Sequence, residues 1–252
     1  MFLGLHTVLK KMGEHVVYMG RDLEAMSFAE NYHRWILQVF EPYLGERLVE
    51  VGAGTGEFSK LILAREFKSV SLVEPLKAMF RVLSERLSHV CGPPLVNTYN
   101  SVFAEVAGHI REAQRPDSII YVNVMEHIAD DLEELVIVQR TLCERGRAFI
   151  FVPALRWLFG SFDHQVGHHR RYTKVELEHK CLGSGLRVIK SGYFDFIGIV
   201  PWWVKYCLFR SQTLGADAVR FYDRCIVPGA KLIESVVIPP VGKNIFLIAE
   251  KV

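Results

Sequence analysis

The sequence predicts a doubly wound α/β fold, a mostly parallel sheet with helices on both faces. Three observations carry this. From residue 47 onward, short β-rich runs alternate with helical stretches, the order that builds parallel sheets. Most of those runs are continuously apolar, as strands covered on both faces are. The first run, Arg47-Leu48-Val49-Glu50-Val51, leads directly into a glycine-rich loop that opens a helix.

Ahead of the first strand, Ser27-Phe28-Ala29-Glu30 reads as a capping box for a helix that runs to about Phe40 and is closed by Pro42. The β runs fall at 47–51, 69–74, 95–98 (the weakest), 117–122, 147–152 and 186–193. Helical patterns fill 56–65, 76–87, 102–111, 131–144 and 174–182. The helix from Asp131 has acidic residues in its first turn and Arg145-Gly146 at its end, matching the dipole and a C-terminal cap. After Tyr193 the rhythm breaks into an aromatic-rich stretch at 194–209 and an amphipathic one at 217–237. A last strand pattern, expected at a sheet edge, follows at 244–250. The expected organisation is one domain: a helical cap (1–45), a core (46–193), an aromatic and helical insertion (194–243) and the last strand (244–252). A length of 252 residues is near the upper size of a single hydrophobic core.

With 50% apolar and 23% charged residues, the chain is neither disordered nor a disulfide-stapled miniature. Thirty Lys and Arg against 28 Asp and Glu leave a formal +2, too balanced to point to nucleic acid. The five cysteines form no Cys-x-x-Cys pair, which fits a reduced, cytoplasmic chain. The segment from Met1 to His6 has no basic residues ahead of its apolar stretch and does not read as a signal peptide. No apolar run reaches the ~20 residues that span a bilayer.

The strongest local signal is the loop after the first strand, where Gly52, Gly54 and Gly56 alternate. Glycine lets the backbone turn sharply and approach a ligand closely. The helix N-terminus behind it offers free N–H groups and a partial positive charge. The third glycine comes one residue earlier than in the pyrophosphate-binding Gly-x-Gly-x-x-Gly pattern, and Glu50 would repel a pyrophosphate but suit an ammonium group. Glu74 ends the second strand, where a carboxylate can accept two hydrogen bonds from a ribose diol. An isolated glycine loop is usually a tight turn; strand, loop, helix, second strand and terminal acid together favour a ligand site.

With these motifs the sequence resembles the class I S-adenosylmethionine-dependent methyltransferases. Glu50-Val51-Gly52-Ala53-Gly54-Thr55-Gly56 is similar to their first motif and Leu72-Val73-Glu74-Pro75 to the acidic end of their second strand. The run Asp117 to Ile128, with Asn123-Val124-Met125-Glu126-His127, is similar to their fourth-strand motif. The resemblance runs from about Tyr32 to the C-terminus. It implies a Rossmann-like, seven-stranded sheet with an antiparallel last strand, and S-adenosylmethionine lying across the carboxyl ends of the strands. It places Gly52, Gly54 and Gly56 at the methionine part, Glu50 at the amino group, Glu74 at the ribose, Asn100 or Ser101 at the adenine and Asn123 near the sulfonium. Many relatives have a Gly-Gly turn where this chain has Glu144-Arg145-Gly146.

A second cluster follows the fifth strand, from Gly160 to Thr173, and holds His164, His168 and His169 with the adjacent Arg170 and Arg171. It is similar to a subgroup of bacterial class I methyltransferases with an Asp followed by Gly-His-x-Arg-Arg-Tyr, in which His168 takes the constant position. Methyl transfer to a hydroxyl or amine needs alignment and a base, and histidine has a suitable pKa. The expected base is His168, oriented by Asp163. Arg170 or Arg171 would grip an acidic group, with His127 and His169 beside the substrate. The structural alternatives are that one arginine pairs with an acid for folding, that Glu126 and His127 only hold a turn, and that Thr173 and Glu176 form a capping box. Asp163, His164, His168 and His169 also offer metal-ligand chemistry; with Gly167 interrupting any regular helix, and with metal-assisted methyltransferases usually carrying an aspartate at the place of Asn123, the expectation is no metal.

Trp202, Trp203 and Tyr206 in the insertion would wall an apolar substrate pocket or face a membrane, with peripheral contact through 194–210, or else roof the core. The function expected is methyl transfer to an oxygen or nitrogen of a small-molecule acceptor, such as an acidic sugar or a lipid-linked or apolar metabolite. The rivals are a non-catalytic cofactor-binding or partner-binding domain and an NAD(P)-dependent oxidoreductase; glycine spacing and Glu50 oppose the latter.

Overall fold

The structure is a computed structural model that describes residues 29–88, 92 and 94–252. Seven strands form one sheet in the order β3-β2-β1-β4-β5-β7-β6. They are β1 (Arg47–Val51), β2 (Ser69–Val73), β3 (Leu95–Tyr99), β4 (Ser118–Val122), β5 (Arg147–Pro153), β6 (Leu186–Phe194) and β7 (Asn244–Lys251). The four pairings among β1 to β5 are parallel, and β7 runs antiparallel to both β5 and β6. The expected sheet, with its antiparallel last strand, is present, but β7 lies between β5 and β6 and not at the expected edge, which β6 occupies.

Period-two geometry sends alternate side chains of these apolar strands into two cores. Val49, Ile119, Tyr121 and Ile150 pack on one face with helices α4 (Phe103–Gln114), α5 (Asp131–Thr141) and α7 (Lys174–Gly183). Leu48, Ile120, Phe149 and Phe151 pack on the other with α1 (Glu30–Phe40), α2 (Glu57–Leu63), α3 (Lys77–Leu87) and α10 (Val227–Val236). The strand-to-helix turns therefore gather at the carboxyl ends of β1, β4 and β5, where the site lies.

Two helix ends differ from expectation, each for a local reason. Helix α5 ends at Thr141 because Leu142 turns out of helical geometry into the core and Cys143 N–H donates to the Pro116 carbonyl. Arg145, at φ +60°, then belongs to a separate turn. Ser27 and Phe28 of the expected capping box lie outside the described residues. The N–H groups of Asn31 and Tyr32 are instead accepted by the buried Asp223 carboxylate of the insertion, at 3.1 and 2.9 Å. Thr173 does cap α7, accepting from Glu176 N–H, but the Glu176 side chain pairs with Arg156 in place of closing the box.

The insertion folds as helical pieces: α8 (Ile199–Trp202) continuing into a π-helical turn (Trp203–Leu208), then α9 (Ala216–Phe221), a second π turn (Tyr222–Ile226) and α10. No described helix is long and apolar enough to cross a membrane.

Candidate active site

The glycine loop is shaped by three left-handed residues, Gly52, Gly54 and Gly56, at φ +73°, +58° and +89°. Their reasons differ. A Cβ on Gly52 would collide with Val124, and one on Gly56 would come within 2.8 Å of Leu83, so these two glycines allow the loop to pack. A Cβ on Gly54 would stand in open space, so here glycine keeps room for a ligand. Gly52 and Ala53 N–H donate to the Val73 carbonyl, folding the loop over the end of β2.

Glu50 is buried and accepts the Ser59 hydroxyl at 2.6 Å. Burial pushes its pKa up to about 8, against the pull of that hydrogen bond, so near neutrality it is largely protonated. Glu74 is also buried, but its two oxygens accept Gly54 and Leu76 N–H at 2.8 Å each. It braces the loop and does not line the cavity. Asn100 donates to the Glu74 and Pro75 carbonyls, and Ser101 donates to Glu105 at the start of α4, so neither presents its side chain to the cavity. Asn123 follows β4 at φ +54°, with its N–H on the Phe151 carbonyl.

The second cluster is built on α6 (Ser161–Val166), a helix whose shortness and lack of apolar periodicity hid it in the sequence. Asp163 is completely buried and accepts His168 Nδ1 at 2.8 Å and both the Nε and Nη2 of Arg171 at 2.9 and 3.0 Å. Burial works to raise its pKa, but the His168 hydrogen bond and the Arg171 charge hold it below the ordinary carboxylate range. Gly167, at φ +78°, returns the chain so that His168 N–H meets the Asp163 carbonyl and His169 N–H meets the Glu126 carbonyl. His168 Nε2 then lies 3.8 Å from Glu126 Oε1.

Glu126 is fully buried, and neither of its carboxylate oxygens has a hydrogen-bond partner among the described residues. Burial pushes it up to about 7, partly offset by His168. The His127 ring stands edge-on to His168 at 4.6 Å; burial, followed by its histidine neighbours, lowers its pKa to about 3. Glu126, read from the sequence only as a turn residue, is thus drawn into the cluster from β4 by a loop far along the chain. No local sequence signal announces that contact.

A cavity of about 390 Å³ joins the two halves. Glu50, Gly52, Gly54 and Asn123 line one side, and Glu126, His127, His168 and Arg171 line another. Trp202, Lys205 and Tyr206 of the insertion close over it, with Tyr32, His33, Phe58 and Lys243 also in its walls. The last four had no motif to mark them. Lys243 is paired with Asp195 at 2.7 Å among the rings of Tyr32, Trp202 and Tyr222.

Several expected site residues lie elsewhere. Arg170 is drawn to Asp131 at 2.8 Å and to the Ala129 carbonyl; Arg171 does line the cavity, but its guanidinium is engaged by Asp163. His169 and Trp203 are exposed and do not line the cavity, and Gly56 lies outside it.

A family model described as a methyltransferase domain matches residues 21–191. The chain belongs to the methyltransferase domain family. It is accordingly an enzyme. No curated protein matches the sequence. Among solved structures, a SAM-dependent methyltransferase from Archaeoglobus fulgidus is similar at 18% identity and TM-score 0.54, over 85% of this chain and 91% of that one. A 1,6-didemethyltoxoflavin-N1-methyltransferase from Burkholderia thailandensis, solved with its substrate and S-adenosylhomocysteine, is similar at 16% identity and TM-score 0.59, over 98% and 89%. The cyclopropane synthase MmaA2 of Mycobacterium tuberculosis is similar at 12% and 0.58, over 86% and 82%. At these identities the likeness is one of fold.

Proposed function

We propose that this methyltransferase methylates an oxygen or nitrogen nucleophile of a small, largely apolar acceptor held in the cavity between the glycine loop and His168. The observation that carries this reading is the continuity of one cavity from Glu50, Gly54 and Asn123 to the His168 cluster. The loop suits the cofactor: open space over Gly54, a buried acid for its ammonium group, and free N–H groups at the start of α2. Gly52 and Gly56 fix the loop around the methionine part, and Asn123 lies toward the sulfonium. Glu74 braces the loop on the ribose side through Gly54 N–H, with Asn100 or Ser101 on the adenine side. Bound there, S-adenosylmethionine supplies a methyl group on a positively charged sulfur.

The chain's own groups then orient and deprotonate the acceptor. Asp163 holds the Nδ1–H of His168, leaving an Nε2 lone pair toward the cavity. As the acceptor receives the methyl group that S-adenosylmethionine held by the loop would supply, His168 would take the acceptor's proton at Nε2. Trp202 and Phe162 shape the acceptor's side of the cavity. A panel of phenols, amines and carboxylic acids incubated with methyl-labelled cofactor tests this: label should move to acceptors, and His168→Ala should cut turnover by ~10²–10⁴ at unchanged S-adenosylhomocysteine affinity. Undiminished turnover in folded His168→Ala would contradict the role given to His168.

The exposed Val200, Trp203, Leu208 and Phe209 support peripheral membrane contact through the insertion, by which an apolar or lipid-linked acceptor would reach the cavity.

A further inference from the structure

We infer that Glu126, His127 and His168 form a three-ligand site for a divalent transition-metal ion, opening onto the acceptor side of the cavity. The inference rests on the methyl-transfer reading for its purpose, but not for its geometry. One ligand atom from each residue lies within 4.8 Å of the others, and Glu126 and His168 are already at 3.8 Å. Ligands about 2.1 Å from a tetrahedral ion stand about 3.4 Å apart, so a small inward movement of side chains suffices.

Two features separate this cluster from a chance meeting of polar side chains. The first is Glu126. A fully buried carboxyl with both oxygens lacking a hydrogen-bond partner is costly, and its oxygens face two imidazoles that can share a cation with it. The second is the support behind the rings. His168 directs Nδ1 to Asp163, which Arg171 locks from the other side, and the His127 ring is held edge-on against His168. Histidines that hold metals have one ring nitrogen tied to a carboxylate or backbone carbonyl, as His168 has, fixing the lone pair of the other nitrogen toward the ion.

Two histidines and a carboxylate favour zinc, cobalt, iron or manganese over magnesium and calcium, which prefer all-oxygen sites. With three protein ligands and an opening to the cavity, the fourth position is left for water or the acceptor. An acceptor hydroxyl bound there would lose its proton to water more readily; with Nε2 on the ion, His168 would then hold the metal in place of taking the proton itself. This departs from the metal-free expectation and from the ligand set the sequence offered: only His168 is shared. Asp163 supports the ligand from behind, His164 meets Phe159 edge-on, and His169 is exposed.

The test is cobalt(II) titration of the chelator-treated full chain, followed by visible absorption, with zinc competition. The expected result is one cobalt per chain with ligand-field bands, displaced by zinc. Glu126→Gln and His127→Ala should each weaken binding at least ~100-fold, and Asp163→Asn 10–100-fold, while His164→Ala and His169→Ala bind as wild type. S-adenosylhomocysteine affinity, measured alongside, should stay constant; its absence in wild type would count against the cofactor reading and leave the metal result standing. No cobalt bands in folded wild-type protein, or equal binding by folded His127→Ala, would overturn the site.

Discussion

Glu50 shows how one buried carboxyl couples the sequence to pH. Its pKa of about 8 in the folded chain exceeds the ordinary Glu value near 4.3, because burial disfavours the charge. Between those values the folded state holds a proton the unfolded state has lost. Stability from this group is therefore complete below about pH 4.3 and declines as pH rises to about 8. Chemical denaturation of Glu50→Gln from pH 5 to 8 should give a flatter profile than wild type. Cofactor binding has the opposite sign: an ammonium partner favours ionised Glu50, so binding releases a proton and tightens as pH rises from 6 to 7.5. Calorimetry in buffers of different ionisation enthalpy should detect that proton, and Glu50→Gln should abolish it. The loop glycines divide similarly. Gly52→Ala combines a left-handed φ, costing about 1–2 kcal/mol, with a clash against Val124, and should lower the melting temperature.

At the scale of elements, the strands were legible because burial on both faces writes a continuous apolar run. Strand β3 reads weakly because it is an edge, with Leu95 65% exposed. What the sequence hides are contacts made across it. Helix α1 takes its cap from Asp223, and Asp223→Ala should destabilise the fold by about 0.5–2 kcal/mol, as lost N-caps do. Helix α6 was missed because it spans too few residues to show a period. Its Asp163 anchors His168 and Arg171, and Asp163→Ala would leave the Arg171 charge buried and unpaired, costing about 3–5 kcal/mol. Equal denaturation midpoints for wild type and Asp163→Ala would contradict that role. The glycine loop, a local motif, was readable residue by residue; the meeting of Glu126 with His168 depends on tertiary folding and was not.

At the scale of the molecule, the insertion joins the cavity to the surface, and its two adjacent tryptophans divide the work. Trp202 lines the cavity against Phe162, Tyr206 and Arg171, whereas Trp203 is 40% exposed. Trp202→Ala should cost about 3–5 kcal/mol through lost packing. Trp203→Ala should leave the melting temperature nearly unchanged and weaken binding to anionic liposomes; unchanged liposome binding would remove the membrane reading and leave the cavity reading intact.

The central claim is that the glycine loop and the His168 cluster share one cavity whose first half holds S-adenosylmethionine. Calorimetric titration of S-adenosylhomocysteine into wild type and Gly54→Val tests it most directly. Because a side chain at Gly54 would enter open space where the ligand must approach, the wild type should bind one ligand per chain and Gly54→Val should lose at least ~100-fold in affinity, about 2.7 kcal/mol, while remaining folded. Equal affinity in folded Gly54→Val would contradict the claim.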